Sequence, residues 1–111
     1  GRCVAAFGDH PLPEIEKRFR ALRWDNAPGW DAWRREVETV RRQGYSIDRN
    51  TYIAGVTIVS VPVLTVSGAL SQCLASVGIT GQLDRAKSVD LAHDMQAAAR
   101  AIGQPTASAR R

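Results

Sequence analysis

From Thr51 to Leu83 no residue carries a charge, a run of 33 positions. A run this long either crosses a membrane or forms the centre of a folded domain. It is interrupted by Gly55, Pro62, Gly68, Gly78 and Gly81, and it carries hydroxyls at Thr51, Thr57, Ser60, Thr65, Ser67, Ser71, Ser76 and Thr80. A spanning helix needs about 20 consecutive, mostly apolar residues, and no stretch here is uniform enough. The run reads instead as two strands buried on both faces. Ser67-Gly68 is the turn signal between them. The outgoing strand covers Thr51 to about Leu64, with a break signal at Gly55, and the returning strand covers Leu70 to Ile79.

The flanks are helical. Residues 1–7 are small and apolar and suit a short buried helix, ended by Gly8-Asp9-His10-Pro11. Leu12, Ile15, Phe19 and Leu22 recur at helical spacing and predict a helix over about 13–22, with Pro13, Glu14 and Glu16 suited to its first turn. Trp24 to Gly29 is a loop. Trp30, Trp33, Val37 and Val40 mark one face of a helix over about 30–43, which Gly44 ends. Its charged face suggests pairs such as Arg34–Glu38. Tyr45 to Asn50 is a short strand. Asp84 caps a last helix over about 85–102, with a stripe of Val89, Ala92, Met95, Ala99 and Ile102, ended by Gly103 and Pro105.

The order helix, helix, strand, hairpin, helix defines an α+β fold with an antiparallel sheet flanked by helices. A sheet of two or three strands is thin, so further strands are expected from upstream sequence or a partner chain. The expected domain is 1–105, incomplete at its N-terminal side, with a frayed tail over 106–111. Gly1, rather than a Met, reads as the interior of a longer protein.

Composition limits the function classes. Hydrophobic residues at 44% and charged residues at 23% support a packed core. A net charge of +4, with basic and acidic residues alternating along the helices, is no nucleic-acid footprint. Two cysteines exclude a disulfide framework and suit buried free thiols in a reducing compartment, here the cytoplasm. His10 and His93 have no metal-ligand spacing to each other or to the cysteines, so neither a metal nor a cofactor is expected. Gly78-Ile-Thr-Gly81 lacks the lysine of a phosphate loop. Cys73 falls in mid-strand, where a small buried apolar residue is the simplest reading and a reactive thiol the sharper one. Trp30 and Trp33 share an apolar helix face and read as core, whereas Trp24 sits in the loop.

The returning strand alternates. Cys73, Ala75, Val77 and Ile79 are apolar and read as the face packed on helices. Gln72, Leu74, Ser76, Gly78 and Thr80 are mostly small and polar. That second face suits either a small-molecule cavity or a plain solvent-facing surface.

Three segments together carry a resemblance: Arg41 to Asp48, Gly55 to Val63, and Ala75 to Gly81. With the opening Gly1 to Phe7 and the closing helix through Gly103, the chain resembles the C-terminal half of the effector-binding domain of IclR-family bacterial transcription regulators. The resemblance implies a GAF-like domain that senses a small organic effector, such as an organic acid or aromatic compound. It implies assembly as homodimers or tetramers, and DNA binding only through a winged helix-turn-helix domain that this chain lacks. No catalytic residue, cofactor, metal or membrane contact follows from it. Carried over by position, the ligand-binding residues would be Asp48, Val56, Ile58, Gly78 and Thr80. Ile58 stands where some members place a cysteine, and Gly78 and Thr80 where some carry serines.

Hairpin geometry bears on that site. A two-residue Ser67-Gly68 loop pairs Val66 with Ala69 and turns Gly78 and Thr80 away from Val56 and Ile58. A three-residue loop with Gly68 left-handed pairs Thr65 with Ala69, hence Val56 with Gly78, and gathers all four on one face. The second register is the expected one. A ligand-sensing module is the leading reading. The alternatives are a GAF-type redox enzyme using Cys73 and an oligomerisation module without ligand.

Overall fold

Short amphipathic segments built the expected elements. The computed structural model describes residues 1–103 and contains α1 (Arg2–Phe7), α2 (Leu12–Ala21), α3 (Trp30–Gln43), β1 (Ser46–Arg49), β2 (Val56–Leu64), β3 (Leu70–Ile79) and α4 (Arg85–Gly103). A 3-10 turn at Thr80–Gln82 joins β3 to α4. The expected tail at 106–111 lies outside the described residues.

Local signals explain most boundaries. Gly44 closes α3 in the left-handed region at φ 83°, and its amide donates to the Val40 carbonyl. Asp84 caps α4 through Oδ1, which accepts from the Lys87 amide at 2.8 Å. Two expectations need correction. The outgoing strand begins at Val56 rather than Thr51, because Asn50 and Gly55 both adopt positive φ and residues 51–55 form a turn. Glu38 pairs with Arg41 rather than Arg34, which lies 3.5 Å from Asp31.

The three strands form an antiparallel sheet in the order β1-β2-β3. One face is covered by α4, where Val59, Val61, Val63, Ala92, Met95 and Ala99 make a buried cluster. The other face is partly covered by α1, and α3 packs behind α1. Cys3, Ala5, Ala6, Phe19, Trp33, Val37 and Val40 form the second cluster. Phe19 is its hub, with ring centroids 5.1 Å from Trp33 and 5.3 Å from both Trp24 and Trp30. Aromatic pairs at such distances each contribute about 0.5–1.5 kcal/mol beyond burial.

The hairpin follows the expected turn and then departs from the expected register. The Thr65 amide donates to the Ala69 carbonyl at 2.8 Å, and Gly68 is left-handed at φ 90°. Leu64 pairs with Leu70, but Val63 pairs with Gln72, so Ser71 is one extra residue in β3. This bulge flips the rest of β3. Val56 therefore pairs with Ile79, Thr57 with Gly78 and Ile58 with Val77. Gly78 shares the α4 face, and the face expected to be core is open: Val77 is 69% and Ile79 62% exposed.

The stripe expected on α4 is also only partly buried. Met95 is in the core while Ile102 is exposed. Met95→Ala is expected to cost about 2–5 kcal/mol in urea unfolding. Ile102→Ala should stay within about 0.5 kcal/mol. Equal losses would contradict this packing.

Candidate functional site

Strand β1 reads Ser-Ile-Asp-Arg, and its period of two sends Ser46 and Asp48 to the face opposite Ile47 and Arg49. Ser46 pairs with Ser60 and Asp48 with Ile58, so these four share the face that looks toward α1. Between that face and the helices lies a cavity of about 640 Å³. Its floor is Ser46, Asp48, Ile58 and Ser60. Its roof comes from Arg2, Val4 and Ala5 of α1, and its sides from Ile15 and Phe19 of α2 with Leu22, Trp24, Trp33 and Tyr52. His10 and Arg18 stand at its border.

The polar end is tightly bonded. Arg2 is buried at 7% exposure; its Nη2 and Nε donate to Glu36 Oε1 at 3.0 and 3.2 Å, and its Nη1 lies 3.4 Å from Asp48 Oδ2. Asp48 Oδ1 accepts from the Thr51 amide at 3.1 Å and from the Thr51 hydroxyl, with the Tyr52 amide at 3.4 Å. Asp48 thus holds the β1–β2 turn as well as the cavity floor. The Cys3 thiol donates to the Ser60 carbonyl at 3.4 Å and faces Ser46 Oγ at 3.8 Å. Burial pushes that thiol up to about 11. One donor is unspent: Trp33 Nε1 is buried without a hydrogen-bond partner among the described residues.

The five residues carried over by position do not converge. Asp48 and Ile58 line the cavity. Val56 lies two residues from Ile58 on the same face of β2. Gly78 and Thr80 stand on the other side of the sheet. A Cβ on Gly78 would meet Leu83 Cδ2 at 3.2 Å. Thr80 Oγ1 lies 2.8 Å from Thr57 Oγ1 and donates to Asn50 Oδ1 at 2.7 Å. The β3 residues that do share the face of Asp48 and Ile58 are Cys73, Ala75, Val77 and Ile79, an outcome of the Ser71 bulge.

Sequence reasoning passed over Arg2, Ser46, Ser60 and Tyr52. The alternation in β1 was a usable signal for Ser46, and Arg2 is the lone charge in an otherwise apolar segment. Trp24, singled out in its loop, is half-buried, borders the cavity and donates from Nε1 to the Phe19 carbonyl at 3.1 Å. Cys73 is exposed, against the expectation of burial, yet partial desolvation still raises its pKa.

The chain is thus an α+β domain with a cavity between a helical layer and a sheet. Residues 14–104 match the family described as "Bacterial transcriptional regulator IclR C-terminal". The chain belongs to that family. Its structure is similar to the Agobacterium tumefaciens repressor BlcR, with 22% identity, a TM-score of 0.74, and 92% of this chain and 42% of that one covered. It is also similar to the C-terminal domain of E. coli KdgR, with 19% identity, a TM-score of 0.70, and coverage of 92% and 64%. A third likeness is to the inducer-binding domain of PobR from Acinetobacter in complex with 3-hydroxybenzoic acid, with 14% identity, a TM-score of 0.67, and coverage of 86% and 58%. The chain spans less than half the length of BlcR. Curated protein sequences give no match.

Two outcomes are expected from this geometry. Arg2→Met leaves Asp48 buried beside no cation and should cost about 2 kcal/mol or more in urea unfolding. Alkylation by iodoacetamide should reach Cys73 well before Cys3, because Cys3 is 1% exposed. Both rates should climb as pH rises past 9, since the raised pKa values keep the thiols protonated below it. Fast labelling of Cys3 in the folded chain at pH 7 would contradict the structure.

Proposed function

We propose that this chain is the small-molecule sensing part of a bacterial transcription regulator, and that the effector occupies the cavity between α1, α2 and the β1–β2 face. One observation carries the reading. The cavity is of ligand size, with largely apolar and aromatic walls and a few fixed polar groups at one end, which is the usual make-up of a small-molecule site. Arg2, Ser46, Asp48 and Ser60 would orient the effector, and Ile58, Phe19, Trp24 and Trp33 would enclose it. Thr80 and Gly78 belong to the packing under Leu83 in this reading.

Effector binding would favour one of two arrangements of the chain and so bias assembly and DNA affinity. DNA contact falls to a separate winged helix-turn-helix domain, and the working unit is a dimer or tetramer in the cytoplasm. No described helix is long and apolar enough to cross a membrane. The domain 1–105 would be completed by further strands on its N-terminal side, paired with the free edge of β3. The outer position of β3 in the order β1-β2-β3 supports that, as does the 64% coverage of the KdgR domain. An enzymatic role for Cys73 finds no support in the family match, and burial raises the pKa of this thiol rather than lowering it.

A thermal-shift screen of small acids, amides and aromatic compounds tests the reading. A compound at 100 times its dissociation constant should add about 2.7 kcal/mol of stability. Ile58→Trp, which fills the cavity, should abolish that gain while keeping the fold. Thr80→Ala should lower stability but leave the gain intact. A gain that survives Ile58→Trp would place the ligand elsewhere.

A further inference from the structure

We propose that the cavity selects an uncharged, planar aromatic compound bearing a hydrogen-bond acceptor, and discriminates against the matching carboxylate. This rests on the sensing role proposed above and narrows its ligand.

Charge is the first ground. Arg2 is the buried cationic side chain on the cavity wall, and it is already flanked by Glu36 at 3.0 Å and Asp48 at 3.4 Å. The three groups together carry one negative charge. An incoming carboxylate would shed water and meet a cation whose charge is already answered twice over, an unfavourable exchange. The border cations do not change this. Arg18 is 77% exposed and lies 3.3 Å from Glu14, and the His10 ring nitrogen lies 3.9 Å from the same carboxylate. A cationic ligand fares no better, because both oxygens of Asp48 are engaged by Arg2, Thr51 and Tyr52.

Shape and hydrogen bonding are the second ground. Phe19, Trp24, Trp33 and Tyr52 put four rings on the cavity, with Trp24 and Tyr52 edge to face at 5.8 Å. Such walls favour a flat ring over an aliphatic acid. Trp33 Nε1 can only donate, and it is buried without a partner. Burying a donor unpaired carries a cost; Trp33 lines the cavity, and a small turn of its ring on ligand binding would bring Nε1 to a ligand carbonyl oxygen and remove that cost. The Ser46 and Ser60 hydroxyls add neutral donors at the floor.

Matched pairs test the proposal: benzoate with benzamide, and indole-3-carboxylate with indole-3-carboxamide. Binding to the 111-residue chain, acetylated at its amino terminus so that Gly1 adds no charge, is read by tryptophan fluorescence and by melting temperature at pH 7.5. Each amide should bind at least about tenfold more tightly than its acid, the scale of one hydrogen bond to a buried group gained without a desolvated charge. Trp33→Phe, confirmed folded by circular dichroism, should remove about tenfold of the amide affinity. Acids that bind as tightly as their amides would overturn the selectivity and leave the sensing role standing. An unchanged amide affinity in folded Trp33→Phe would overturn the part assigned to Nε1. Failure of every compound at millimolar concentration, with Ile58→Trp no different from the parent, would overturn both the selectivity and the sensing role.

Discussion

Arg2 ties the helical layer to the sheet. It sits in α1, reaches Glu36 on α3 and comes within salt-bridge distance of Asp48 on β1. An isolated ion pair of this kind adds little net stability, because desolvating the charges offsets their attraction. Its value lies in geometry. A buried guanidinium has few positions where its donors are met, so α1 is held at one height above β1 and β2. The same carboxylate gathers the Thr51 and Tyr52 amides and so shapes the turn that delivers Tyr52 to the cavity. The cavity exists because these polar contacts prop the helices off the sheet at one end while the aromatic cluster around Phe19 closes the other.

The second determinant is a single residue. Ser71 is the extra member of β3, and it reverses which side of that strand meets α4. Without it, the three-residue turn ending at Gly68 would have gathered Val56, Ile58, Gly78 and Thr80. With it, Leu74, Ser76 and Gly78 go under α4 and Leu83, and Val77 and Ile79 face out. A Cβ on Gly78 would crowd Leu83, which gives this glycine a packing role.

Membership in the regulator family gives the cavity a setting. The likeness to BlcR, KdgR and PobR is one of fold, at identities of 14% to 22%. In this chain the cavity wall is made of aromatic rings and Ile58 around a guanidinium that two carboxylates already hold. Those features bear on ligand selectivity through desolvation, which depends on the neighbours of each charge and not on the overall fold.

Much of this was legible along the chain. Periodic apolar residues with turn and capping signals placed α3 at Trp30–Gln43 and β3 at Leu70–Ile79, because the period of a helix or a strand is written in the spacing of its side chains. The α+β class, the turn at Gly68 and the family resemblance followed from the same kind of signal. Which side of each strand is buried did not, since alternation cannot reveal an inserted residue, and both faces of β3 were plausible cores by composition. Nor could sequence bring Arg2 to Asp48 across 46 positions, or set Trp33 and Ser46 on the wall of one cavity. Contacts between distant segments depend on how layers stack, and only the tertiary structure decided them.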